Sequence, residues 1–347
     1  MKKAFQEPFA PPCGMVQNMK KIIPILLIAA LTLFALAGCG QQGKDADTSD
    51  TDDAEKDGRL SVVATTFAPY DFAREIAGDK ADIAMLLPPG SESHSFEPTP
   101  QDIIDIQNCD VFIYVGGESD DWVDGILESM DTENMKIITL MDCVETVEEV
   151  VVEGMEDEEE EEGEGEDGEE EAELDEHVWT SPKNAKLIVQ KISDAFCAED
   201  PANETVYKEN TENYLAKLDD LDARFQAVVD ESARRTIVFG DRFPFRYFAD
   251  AYGLDYFAAF PGCSTETEAS AATVAFLIDK INEEGIPVVL HIELSSDKMA
   301  NAISESTGAK VLLLHAVHNV SKDDFENGEG YLSLMTKNVD VLKEALQ

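Results

Sequence analysis

Basic residues are scarce in this sequence of 347 residues: 26 lysines and arginines stand against 73 aspartates and glutamates, for a formal net charge of −47. Binding to a phosphate backbone needs a basic face, so a nucleic-acid partner is excluded. The charge favours cations as partners, although acidity also serves plain solubility. Paired cysteines are lacking as well. Of the six, Cys13 and Cys39 fall in the N-terminal segment, and Cys109, Cys143, Cys197 and Cys263 are scattered without close pairs. A disulfide framework is therefore not expected, and burial as small apolar side chains is. There is no Gly-rich phosphate loop ending in Lys-Ser/Thr, no His-Glu-x-x-His helix, and only one apolar run that approaches membrane-spanning length. Any ATPase or multi-span component is expected on separate chains.

That one apolar run, Ile22 to Ala37, follows Lys20 and Lys21 and ends in Leu36-Ala37-Gly38-Cys39. A small-residue site after such a run marks export. Leu-Ala-Gly-Cys is the pattern of bacterial lipoprotein signals, in which the cysteine is lipidated and becomes the N-terminus. Met19 then serves as the start, and residues 1–18 read as an upstream extension. Gln41 to Gly58 is polar and Asp-rich without aromatic residues, which suits a flexible tether. The expected location is the outer face of the cell membrane, held by lipid at Cys39.

From Leu60 onward, short apolar runs alternate with helical periodicity. Strands are expected at Leu60–Thr66, Ala81–Leu87 and Val111–Val115, with helices starting at Pro69 and Pro100, which is the rhythm of parallel βαβ units. Between Glu153 and Glu176 the chain is almost all Glu, Asp and Gly, so it reads as a solvated acidic loop. A helix follows from Ser181-Pro182. A longer one spans about Pro201 to Ala233, where Val206, Tyr214, Leu215, Leu218, Leu221, Phe225 and Val228 fall near a 3.6 period. The remainder repeats the rhythm, with strands at Arg235–Phe239, Tyr256–Phe260, Val288–Ile292 and Lys310–Leu314 and a closing helix at Tyr331–Leu346. The expected fold is α/β: two lobes with open, mostly parallel sheets flanked by helices, joined by one long rigid α-helix. The parts are an N-terminal extension and signal at 1–39, a tether at 40–58, a first lobe at 59–200 with the acidic loop at 153–176, a linking helix at 201–233 and a second lobe at 234–347. Ligands of such sheets sit outside the carboxyl ends of the strands.

The five histidines can be weighed singly. His94 lies in the Pro-broken loop after the second strand, His177 ends the acidic loop, and His315 directly follows the strand ending at Leu314. Imidazole is a favoured ligand for zinc, and three such positions at strand ends or loops of a two-lobed protein point to a metal site. His318 lies one short step beyond His315 and either faces the cleft or caps the loop. His291 falls inside a strand and reads as a core residue.

Gly90-Ser91-Glu92-Ser93-His94-Ser95-Phe96-Glu97-Pro98-Thr99-Pro100 resembles the motif around the first ligand histidine of the zinc- and manganese-binding receptors of ABC importers, the ZnuA/TroA-like family. His177-Val178-Trp179-Thr180-Ser181-Pro182 resembles that family's second ligand motif, behind a charged loop. The resemblance covers about Leu60 to Leu346. It implies two α/β lobes with a metal between them, a monomer that passes its metal to a permease and ATPase, and no enzymatic activity. The family's third ligand commonly precedes a Phe-x-Tyr-Phe…Tyr-Gly-Leu segment, here Phe245 to Leu254. Matching it puts Arg242 at the ligand position, with Asp241 beside it. Arginine cannot coordinate a cation. Near the end of the chain the resemblance aligns His315 with a position the family usually fills with Asp.

The set so implied is His94, His177 and His315, with Asp241 or water in the fourth position. Three imidazoles suit tetrahedral zinc, and manganese, which prefers more oxygen, is the alternative. Glu293 and Glu92 are candidate acceptors behind the ligands, and Arg242 is expected to pair with an acidic group. A surface zinc hydrolase is the rival class, since three histidines with an open position can also activate water. A role in adhesion is compatible with metal uptake.

Overall fold

The computed structural model describes residues 58–155, 173–264 and 269–347. The export signal, Cys39, nearly all of the tether and residues 156–172 of the acidic loop lie outside them. Among the described residues no helix is long and apolar enough to cross a membrane.

The chain opens with β1 (Leu60–Ala64), α1 (Phe67–Ala77), β2 (Ala81–Met85), α2 (Pro100–Asn108), β3 (Val111–Tyr114), α3 (Asp121–Leu127) and β4 (Lys136–Thr139). These strands form one parallel sheet in the order β2-β1-β3-β4. Helices cover it, which is why Val62, Val63, Val111, Phe112 and Ile113 are all buried without alternation. The strand β4 and the short α3 carry no strong period and were not anticipated. Pro100 starts α2 behind a reciprocal capping pair, Thr99 and Asp102, so the Pro-rich stretch before it stays irregular and presents His94 in a loop.

The acidic loop has a structured stem. Glu148 and Leu174 form an antiparallel bridge, and the N–H groups of Glu149 and Asp175 donate to the carbonyls of Glu173 and Val147. After it come α4 (Pro182–Glu199), with Pro182 in its first turn as expected, and α5 (Glu204–Glu231). With 28 residues, α5 is about 42 Å long. Its buried stripe is Tyr207, Thr211, Tyr214, Leu218, Leu221, Phe225 and Val229. Tyr207 and Val229 take the end positions of that stripe, where the sequence suggested Val206 and Val228.

The chain continues through β5 (Thr236–Val238), β6 (Arg242–Phe243), α6 (Arg246–Tyr252), β7 (Asp255–Phe257), β8 (Phe260–Pro261), α7 (Ala271–Glu284), β9 (Val288–His291), α8 (Lys298–Thr307), β10 (Lys310–Leu313), α9 (Lys322–Glu326) and α10 (Tyr331–Ala345). Parallel pairs β5-β7 and β9-β10 are linked through a bridge between Phe239 and Leu290. The strand expected at Tyr256–Phe260 is two strands, because its partner changes: β7 pairs with β5 and β8 with β6.

One buried apolar cluster runs from Phe67 and Phe72 of α1, through Tyr214, Leu221 and Phe225 of α5, to Phe245, Leu290 and Tyr331. The Phe72 and Tyr331 rings meet edge-on at 4.9 Å, as do those of Phe225 and Phe248. Exposing a buried ring costs about 1.5–3 kcal/mol. A wide hinge opening would expose several, so only small movements are cheap.

Candidate metal centre

Three loops at strand ends converge on one point. His94 lies in the turn after β2, His177 just before the 3-10 turn Val178–Thr180, and His318 in the loop after β10. One ring nitrogen from each lies within 4.8 Å of the others. Four nitrogens around tetrahedral zinc at about 2.05 Å stand about 3.3 Å apart, so the three rings would draw together on a metal.

The hydrogen bonds decide which ring nitrogens are left available to a metal. Glu176 accepts the hydroxyl proton of Ser119 through a short contact, and also the Ser119 N–H at 3.0 Å. With that proton committed, Ser119 Oγ accepts from His94 Nδ1 at 2.8 Å, which leaves the His94 Nε2 lone pair free. His177 Nδ1 pairs with Asp175 Oδ1 at 3.1 Å, and the same oxygen accepts the His177 N–H. The Nε2 atoms of His177 and His318 are buried and make no hydrogen bond among the described residues. Orphaned buried polar atoms are costly, and two of them meeting on a third imidazole is what a cation site requires. Close approach of other chain segments supports the arrangement. Gly117, at φ 79°, has no room for a Cβ, which would stand 2.8 Å from Glu176 Oε2. At Gly262 a Cβ would stand 2.9 Å from the His177 ring.

The electrostatics divide the three rings. Burial, aided by the neighbouring charges of His177 and Arg242, pushes His94 down to about 3. Burial also holds His318 well below its usual range. For His177 burial works in the same direction, but the carboxylates of Asp175, Glu176 and Glu149 outweigh it and raise its pKa.

His315, expected as the third ligand, lies outside this group. Its Nδ1 accepts the Val317 N–H at 3.0 Å, so in a neutral ring the proton sits on Nε2 and no lone pair remains for a metal. Its backbone is clamped in both directions by Asn338, at 2.8 and 2.7 Å. Asp241 is also outside the group. It accepts from the N–H groups of Arg242 and Ile292 and from the Ser295 hydroxyl, and so staples β6 to the end of β9. Glu293 lies 3.5 Å from His315 Nδ1 and 3.9 Å from His318 Nδ1. It accepts the N–H groups of Ala316 and His318 at 2.7 and 2.9 Å and so shapes the loop that carries His318. Arg242 pairs with Glu92 at 3.2 Å. His291, expected in the core, is half-buried on β9 and is not part of the three-histidine group.

Sequence reasoning missed Ser119, Asp175, Glu176 and Asn319. Asn319 donates to the carbonyls of Pro88 and Ser91, at 2.8 and 2.9 Å, and so ties the His318 loop to the His94 loop. The only available signal for Asp175 and Glu176 was their place directly before His177, hidden within the acidic run. A second cluster, Glu176, His177 and Cys263, shares His177. Burial and then Glu176, Glu149 and Asp175 push the Cys263 thiol up, so it stays protonated.

An α/β scaffold of parallel sheets, a long helix through a shared core and three convergent imidazoles defines a metal-binding receptor. Residues 62–345 match the family described as zinc-uptake complex component A, periplasmic, and the chain belongs to that family of transport receptors, which are not enzymes. It is 34% identical over 327 residues to the high-affinity zinc uptake system protein ZnuA of Bacillus subtilis, covering 94% of this chain and 98% of that one. To the zinc-binding lipoprotein AdcA of Streptococcus pneumoniae it is 31% identical over 326 residues, and it spans 61% of AdcA's length. Among solved structures, the metal-dependent lipoprotein YcdH of Bacillus subtilis superposes with a TM-score of 0.70 at 30% identity. That match covers 83% of this chain and all of YcdH. The Zn(II)-bound ZnuA-like domain of AdcA superposes at 0.68 and 28% identity, covering 83% of this chain and 99% of the domain.

Proposed function

We propose that this chain captures zinc outside the cytoplasm and delivers it to an ABC permease and its ATPase. The metal is held by the Nε2 atoms of His94, His177 and His318. The convergence of three imidazoles, two of them with orphaned buried nitrogens, carries the reading. An all-nitrogen set favours zinc over manganese. In this reading Cys39 carries the lipid anchor, the protein works as a monomer, and the lobes are residues 59–200 and 234–347 about a linking helix at 201–233. Release to the permease then takes a small parting of the loops that Asn319 ties, since the shared core resists a wide one. Isothermal titration of metal-free protein tests the site: one zinc per chain is expected, with binding severely weakened in His318→Ala.

A further inference from the structure

Tetrahedral zinc takes four ligands, and the three imidazoles supply three. Next to two of them, His94 and His318, lies a cavity of about 20 Å3 that Glu92, Arg242 and Glu293 also line. That is room for one small group such as a water or a halide ion. The two carboxylates that line it are engaged elsewhere, Glu293 with two backbone N–H groups and Glu92 with Arg242 and the Ser95 N–H, and Glu176 behind His94 is held by Ser119. Arg242 is nearly buried, with its side chain 11% exposed. One of its terminal nitrogens donates to Glu92 at 3.2 Å and to the Ser264 carbonyl at 3.1 Å. The other guanidinium N–H groups have no protein acceptor among the described residues. A guanidinium has five N–H donors and no lone pair, so it cannot ligate the metal. Its charge reaches both His94 and His318.

We propose that the fourth zinc ligand is a small monovalent anion of halide size, drawn from solution and held in this cavity by Arg242. The proposal rests on the three-histidine site argued above. The anion lies between two positive groups, zinc on one side and guanidinium on the other. The free N–H groups of Arg242 make charge-assisted hydrogen bonds to it. Arg242, which by itself opposes a cation, then supports one. By linkage, the anion raises zinc affinity by the same factor as zinc raises anion affinity.

Cobalt(II), whose visible bands report coordination geometry and ligand type, is the probe. The mature chain is loaded with cobalt in a perchlorate background and titrated with chloride and with bromide. A saturable change in the tetrahedral bands is expected. Zinc competition should tighten by at least ~5-fold on adding saturating chloride, within the usual range for coupled sites. Arg242→Ala should lose the anion response, and Arg242→Lys should keep a weakened one. Bands unmoved by either anion would overturn the proposal in favour of water. An undiminished response in Arg242→Ala would overturn the role of Arg242. Tetrahedral bands without anion that vanish in Glu92→Gln would make Glu92 the ligand instead. Failure of the parent to bind cobalt, or binding indifferent to His318→Ala, would remove the three-histidine site and the anion with it.

Discussion

The Nδ1 atom of His315 accepts the backbone N–H of Val317 at 3.0 Å, and Val317 stands at φ 62°, a left-handed conformation rare for a β-branched residue. This bond, together with Glu293 accepting the N–H groups of Ala316 and His318, bends the chain so that His318 rather than His315 enters the site. Strain of this kind, about 1–3 kcal/mol, persists where surrounding contacts over-determine it.

The two histidines should therefore separate on mutation. His318→Ala removes a ligand and should weaken zinc binding by more than the ~10–100-fold typical of losing a supporting group. His315→Ala should stay within that range and lower thermal stability, because it loosens the loop without removing a ligand. Competition against a chromophoric chelator, with melting curves on the same samples, distinguishes the two.

Proton competition should come from one ring. Metal needs a neutral imidazole, and His94 and His318 are held below the ordinary 6.5, so both are already neutral near pH 7. His177 is raised above 6.5, and a proton there sits on Nε2, where zinc would bind. Zinc affinity should fall as pH drops through the His177 value, with a slope of about one proton. Asp175→Asn removes the largest influence raising that value, so the break should move to lower pH. Chelator competition across a pH series gives both the slope and the break.

Gly117→Ala should disturb the metal centre from a distance. Its Cβ would meet Glu176 Oε2 at 2.8 Å and Glu176 Cβ at 2.9 Å, at a positive φ that alone costs about 1–2 kcal/mol outside glycine. Displacing Glu176 frees Ser119 and so the orientation of His94. Reduced thermal stability and a zinc affinity lowered by ~10–100-fold are expected in titration calorimetry.

The acidic loop should act on rate rather than affinity. Its stem must be kept, because Asp175 and Glu176 stand behind His177 and Ser119. Deleting residues 156–172 alone should leave the zinc dissociation constant unchanged and slow capture at low salt, since exposed charge acts mainly on encounter. Stopped-flow zinc capture at two ionic strengths measures this directly.

What the sequence revealed follows from where local rules apply. The long helix was legible because no Gly or Pro interrupts it after Pro201 and its apolar positions keep period. The break between β7 and β8 was not, since it depends on which strand lies alongside. His94 and His177 announced themselves through motifs whose prolines fix the loops around them. The choice between His315 and His318 depends on a left-handed Val317, a conformation that valine gives no reason to expect, and on a glutamate some twenty residues earlier. Arg242 is barred from coordination by its chemistry alone, and its pairing with Glu92 depends on two segments 150 residues apart.

The central claim, that zinc is held by His94, His177 and His318, is tested most directly by anomalous diffraction at the zinc edge from crystals of the metal-loaded protein. A single peak about 2.0–2.1 Å from the Nε2 atoms of these three residues is expected, with His315 turned away on its bond to Val317. A peak coordinated by His315, or one centred on Glu176, His177 and Cys263, would contradict it.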